Sequence, residues 1–158
     1  MTSMKFLPYK KFVFQDPNSD IWDNKHVFFM NSENDIADVE EKLGMSLPQE
    51  LKDFYIEIGY GFLCNGESYN TNRFISPIEI FDFYSGMNTY ENDIRRQYYQ
   101  DRGKLIFFEI SAQAFLTIDI QQPNSLGQCP IYFGERKIAN SLEEFLMEMD
   151  KKVDYYLA

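Results

Sequence analysis

The sequence predicts an α+β domain with an N-terminal helix pair, a mostly antiparallel sheet and a closing C-terminal helix. Three observations carry this reading. Apolar residues recur at helical spacing twice between residues 32 and 58. Three short β-branched and aromatic runs follow residue 104, separated by turn signals. A capped amphipathic stretch then closes the chain. Helices and strands that fall in blocks, rather than alternating, argue against a parallel α/β sheet. With 158 residues, 44% of them hydrophobic, and fifteen phenylalanines and eleven tyrosines, the chain can bury a core and is read as one domain, 1–158.

Residues 1–30 form a lead-in. Phe6, Leu7, Phe12, Val13 and Phe14 are interrupted by Pro8 and Pro17, and are expected to pack along the domain. Residues 27–30 read as a short strand. Ser32 and Asp35 make a capping box before Ile36, Val39 and Leu43, and Gly44 suits the helix C-cap. Pro48 fits the first turn of a second helix, with Leu51, Phe54, Tyr55 and Ile58 on its apolar stripe and Gly59 and Gly61 ending it. Residues 74–80 read as a strand entering a turn. Residues 88–100 read as a helix with Tyr90, Ile94 and Tyr98 in line. Strands are expected at 105–110, 115–120 and 131–133, with turns at 111–113, 123–127 and 134–137. Ser141 and Glu144 cap a last helix whose apolar face is Leu142, Phe145, Leu146 and Met149. The helices should cover one face of the sheet. The predicted core is Ile36, Val39, Leu43, Leu51, Phe54, Ile58, Phe107, Phe115, Ile118, Phe145 and Leu146.

Charge narrows the function. With 25 acidic and 15 basic residues the net charge is −10, which repels nucleic acid and suits a basic protein partner. The surplus is uneven. Residues 31–58 hold eight acids against Lys42 and Lys52, a net −6, whereas residues 59–140 hold nine acids against seven bases. Cys64 and Cys129 form no motif, which fits a reducing cytoplasm. No apolar run reaches the ~20 residues of a membrane span. Residues 1–11 contain no signal-peptide apolar region.

Chemistry is not signalled. His26 is the single histidine, so neither a metal nor a cofactor is expected. Nothing local pairs Cys64 with His26 as a nucleophile and base. Gly59-Tyr60-Gly61 follows a helix, not a strand, and residue 64 is Cys, so it reads as a helix stop rather than a dinucleotide loop. Arg95 and Arg96, beside Tyr98 and Tyr99 and flanked by Glu91, Asp93 and Asp101, read as a solvated helix with local ion pairs. No catalytic residue is assigned.

Residues 35–61 carry a short helix ending in Leu43–Gly44, a Leu47–Pro48 turn, and an aromatic helix with Phe54–Tyr55 ending at Gly59 and Gly61. FISPIEI (74–80), LIFFEI (105–110), FLTIDI (115–120), PIYFG (130–134) and SLEEFL (141–146) follow in order. Over residues 32–149 this pattern resembles the SUKH superfamily. The resemblance implies a helix-decorated antiparallel sheet and function by protein binding. Many bacterial members are immunity proteins that neutralise toxins, often nucleases, and fungal relatives regulate cell-wall assembly.

The resulting expectation is a non-catalytic, cytoplasmic immunity protein, monomeric or homodimeric, that binds the basic C-terminal domain of a cognate toxin. A regulatory scaffold for an endogenous partner is the alternative, and a carboxylate-based hydrolase the third reading. Two surfaces are nominated for the partner. One is the acidic helix pair, with Asp38, Glu41, Glu50, Asp53 and Glu57. The other, preferred as a loop on a rigid sheet, is Glu79, Asp82, Phe83 and Tyr84.

Overall fold

Seven strands run antiparallel across one sheet in the order in which the chain supplies them, in a computed structural model that describes residues 5–158. They are β1 (Val27–Phe29), β2 (Tyr60–Phe62), β3 (Arg73–Phe74), β4 (Lys104–Ser111), β5 (Ala114–Asp119), β6 (Ile131–Phe133) and β7 (Arg136–Ala139). Helices α1 (Glu33–Leu43) and α2 (Gln49–Glu57) connect β1 to β2. Helix α3 (Pro77–Ser85) follows β3, and α4 (Leu142–Lys151) follows β7. Residues 1–4 of the lead-in lie outside the described residues.

The caps fall where the sequence places them. Ser32 and Asp35 form the reciprocal box that starts α1, and Gly44, at φ 70°, stops it. Ser141 accepts from the Glu144 N–H to start α4. All eleven predicted core residues are buried, none above 7% exposure. The lead-in packs as expected. Phe6 meets Phe54 edge-on at 5.3 Å. Val13 bridges to Phe28 in parallel, and the Phe14 N–H donates to the Phe28 carbonyl at 2.8 Å, which covers the outer edge of β1.

The structure departs from the sequence expectations in several places. Only the start of 74–80 is strand. From Pro77 the chain is helical, and the Ser76 N–H donates to Glu79 Oε2 at 2.8 Å in a capping box. Residues 88–100 form no α-helix but two 3-10 turns, Asn88–Tyr90 and Ile94–Tyr98. Their apolar stripe does not exist, because Tyr90 is buried while Ile94 and Tyr98 are 75% and 73% exposed. The expected turn at 134–137 is a two-residue hairpin that runs directly into β7, with Phe133 opposite Arg136. Gly61 is not a helix stop but a strand residue. At φ 139°, any Cβ there would lie 2.1 Å from the Val27 carbonyl oxygen, so only glycine lets β2 approach β1.

Helices do not cover one face alone. Paired residues share a face, so Phe74, Phe108 and Leu116 point one way and Arg73, Glu109 and Phe115 the other. α2 and α4 lie on the first face, through Phe54 and Phe145. The segment from α3 through the 3-10 turns lies on the second, where Phe83 meets Phe115 at 5.0 Å.

Phe74 ties the first layer together. Its ring stacks on Phe54 of α2 at 4.3 Å and meets Phe108 of β4 at 5.2 Å and Phe145 of α4 at 6.5 Å. Replacing Phe74 with Ala opens a cavity between three elements and is expected to cost about 3–5 kcal/mol. Urea denaturation should show this as a lower midpoint at an unchanged slope.

Candidate functional site

The two nominated surfaces behave differently once folded. On the helix pair, Asp38 and Glu41 are exposed, whereas Ile36, Val39 and Leu43 fill the buried stripe of α1. Asp53 is half-buried and accepts from Gln49 Nε2 at 2.8 Å. Glu40 is tied inward by the Leu47 N–H at 2.7 Å and by Lys52 at 3.3 Å. Glu57 is half-buried, and its backbone carbonyl accepts from Lys10. Glu50 is a structural residue, 3% exposed. Its carboxylate accepts the Leu142 N–H at 2.7 Å and the Glu143 N–H at 3.2 Å, and pairs with Lys5 at 3.1 Å. A side chain of α2 thus caps the positive end of α4.

The α3 group was expected on a loop and sits instead on a helix turned towards the sheet. Phe83 is 1% exposed and Asp82 8%, so neither ring nor carboxylate is presented to a partner. Asp82 accepts from Asn88 Nδ2 at 3.0 Å. Glu79 takes a two-pronged pair from Arg73, at 2.9 and 3.0 Å, and the Tyr90 hydroxyl at 2.8 Å. Burial raises the Glu79 carboxyl pKa, but the Arg73 bonds and charge outweigh that and hold it below the usual carboxylate range. Glu109 stands between two guanidiniums, Arg73 at 3.1 Å and Arg95 at 2.8 Å. Arg95 also binds Asp93 at 2.6 Å and lies over the Phe115 ring at 4.2 Å. The local ion pair read from the sequence exists, but Arg95 is 7% exposed rather than solvated.

Two tyrosines on this face act as strand substitutes. β3 is only two residues long, so the β3-facing edge of β4 at Lys104–Ile106 has no strand partner. The Tyr84 hydroxyl fills the gap, accepting the Ile106 N–H at 2.8 Å and donating to the Lys104 carbonyl at 3.3 Å. β6 pairs only with Thr117 and Ile118 of β5. The Tyr99 hydroxyl completes the remainder, accepting the Phe115 N–H at 2.9 Å and donating to its carbonyl at 3.3 Å.

A third cluster brings together His26 and Cys64. Asp150 lies 3.3 Å from His26 Nε2, and the Tyr9 hydroxyl donates to the same carboxylate at 2.8 Å. In outline this is an acid–imidazole–thiol line. Its chemistry is otherwise. His26 Nδ1 accepts the Cys64 backbone N–H at 2.9 Å, and the thiol turns away to the Met149 carbonyl. Burial pushes the Cys64 thiol up to about 12 and holds the His26 imidazole below its ordinary value. A neutral histidine that accepts a backbone N–H cannot take a proton from that sulfur. Cys129 is likewise buried, and burial raises its thiol. Among the described residues, no group of three or more His, Cys, Asp and Glu is placed to hold a metal ion, and no helix is long and apolar enough to cross a membrane.

The surface that the sequence did not nominate lies at the β1 edge. Phe14, Trp22, Phe29, Tyr60 and Phe62 form a run of touching rings, with Trp22 at 56% exposure. A cleft of about 380 Å³ adjoins it, lined by Met30, Asp35, Asp38, Lys42, Tyr60 and Ile78 among others.

The fold is a helix-decorated antiparallel meander whose polar clusters are committed to internal bonds. Residues 30–148 match the model of the SMI1 / KNR4 family (SUKH-1), and the chain belongs to that family. It is also 39% identical over 132 residues to the immunity protein YxxD of Bacillus subtilis (strain 168), covering 82% of this chain and 87% of the relative.

Two predictions follow the clusters. Tyr84→Phe and Tyr99→Phe each orphan a buried strand N–H and should cost about 1–3 kcal/mol. Amide exchange should accelerate at Ile106 and Phe115 respectively, with the rest of the sheet protected. For His26, the folded pKa lies below the unfolded 6.5, so the unfolded chain binds more protons below that pH. Its contribution is present above pH 6.5 and lost as pH falls towards the folded value. His26→Gln, which keeps an acceptor for the Cys64 N–H, should remove that phase from urea midpoints measured across pH.

Proposed function

We propose that this chain is a cytoplasmic immunity protein that binds the C-terminal domain of a cognate toxin and neutralises it, the target being a nuclease whose phosphate-binding cleft is basic. The relative's name and the shared family support the immunity role. The exposed acids of α1 carry the electrostatic part. Asp38 and Glu41 face solvent, outside the ion pairs of the described residues, on a helix pair with a net −6 between residues 31 and 58. An acidic surface of this kind can occupy a phosphate cleft as a substrate mimic and accelerate encounter. Of the nominated surfaces, α1 with Asp53 is the one we propose. Glu50 is consumed by the α4 cap, and the α3 acids by their internal bonds.

The test is co-expression with the toxin domain encoded beside the gene, scored by survival, followed by kinetics of the purified pair. Asp38→Lys with Glu41→Lys should lower kon roughly tenfold at low salt and flatten its salt dependence, with koff little changed. Protection that is absent against the neighbouring toxin, or a kon that ignores both charge reversals, overturns this reading.

A further inference from the structure

Exposed apolar side chains such as Ile94, Leu126 and Met147 are ordinary on a protein surface. The β1 edge is different. Trp22, the single tryptophan, is 56% exposed and sits 5.9 Å from Phe62 and 6.3 Å from Phe29. Phe29 continues the run to Phe14 at 6.0 Å and to Tyr60 at 5.8 Å. The residues flanking Trp22 hold it in place. Its backbone N–H donates to Asp20 Oδ1 at 3.2 Å, and its backbone carbonyl accepts from Asn65 Nδ2 at 2.8 Å. Phe29 and Phe62 belong to strand pairs on the face opposite Phe28 and Phe74, so α2 and α4 cannot cover them. An aromatic run with Trp22 exposed and its neighbouring rings half-buried fits the profile of an interface hot spot.

The charge around it selects the occupant. Asp16, Asp20 and Asp23 are exposed on the same loop. At the other end, Tyr60 belongs both to the ring run and to the cleft that contains Asp35 and Asp38, which outnumber its single lining cation, Lys42. The aromatic run is therefore continuous with the acidic stripe of α1. Rings bordered by carboxylates suit arginine and lysine, whose stems cover aromatic faces while the cation meets the acids. A second copy of the chain would bring the same aspartates against themselves.

We infer that the aromatic run centred on Trp22, together with the adjoining cleft, is the docking surface for an arginine- or lysine-bearing segment of the toxin domain. This rests on the reading of the chain as a toxin-binding protein. The acids of α1 then govern encounter, and the rings govern residence.

The experiment uses the full chain and a catalytically inactivated form of the toxin domain encoded beside its gene. Trp22→Ala should weaken Kd at least tenfold, mainly through koff, while Trp22→Phe recovers most of the affinity. Asp23→Lys should reduce kon instead. Thermal melts of each variant should match the parent, because both side chains are exposed. The parent's tryptophan fluorescence should shift on titration with the toxin domain. Binding by the parent that Trp22→Ala leaves within twofold overturns the inference and leaves the immunity reading standing. A Trp22→Ala variant that instead turns a dimer into a monomer in sedimentation makes the patch a self-association surface and also overturns it. Failure of the parent to bind the neighbouring toxin overturns the immunity reading, and this inference with it.

Discussion

A buried backbone group must find a partner, and strands of unequal length leave many without one. Most of this fold's polar architecture answers that demand. β4 extends over eight residues beside a two-residue β3, and β5 outruns β6. The open ladder positions are closed by the hydroxyls of Tyr84, from α3, and Tyr99, from the end of the 3-10 turn at Ile94–Tyr98. The same demand explains Glu50. The first N–H groups of α4 are buried at Leu142, where solvent cannot satisfy them, so a carboxylate is brought from α2 across the core.

This division of labour sorts the acids. Glu79, Asp93 and Glu109 neutralise Arg73 and Arg95 on the second sheet face, Asp82 holds Asn88, and Asp150 holds Tyr9 and His26. Those carboxylates build structure. The acids left to solvent are concentrated elsewhere, on α1 and on the loop that carries Trp22. Net charge alone therefore misstates what a partner would meet, because a large part of it is already spoken for inside the protein.

The legible parts of the fold were those encoded locally. Capping boxes, a C-cap glycine and apolar stripes fixed α1, α2 and α4, and alternation with turn signals fixed β1, β4, β5 and β6. α3 was legible too, since Ser76, Pro77 and Glu79 spell a helix start, but Phe74 and Ile75 before it drew the reading towards a strand. The segment at 88–100 was not legible, because the Arg95–Glu109 salt bridge and the bonds of Tyr90 to Glu79 and Arg96 to the Phe83 carbonyl hold it rather than an apolar stripe. β7 begins with two charged residues, which hid an edge strand behind a turn signal. The aromatic run was invisible for a different reason. Its rings come from the lead-in and β1 on one side and from β2, more than thirty residues further along the chain, on the other, and only strand pairing assembles them.

The two sealed cysteines have a practical side. With Cys64 at 2% and Cys129 at 3% exposure, and both thiols held protonated by burial, neither offers the thiolate that maleimides, iodoacetamides or peroxide require. The native chain is thus close to a cysteine-free scaffold without having been made one. A single cysteine introduced on the solvent side of α1 or beside Trp22 would be the one site a dye, spin label or crosslinker could reach, so distances across a complex could be measured without first stripping residues from the core.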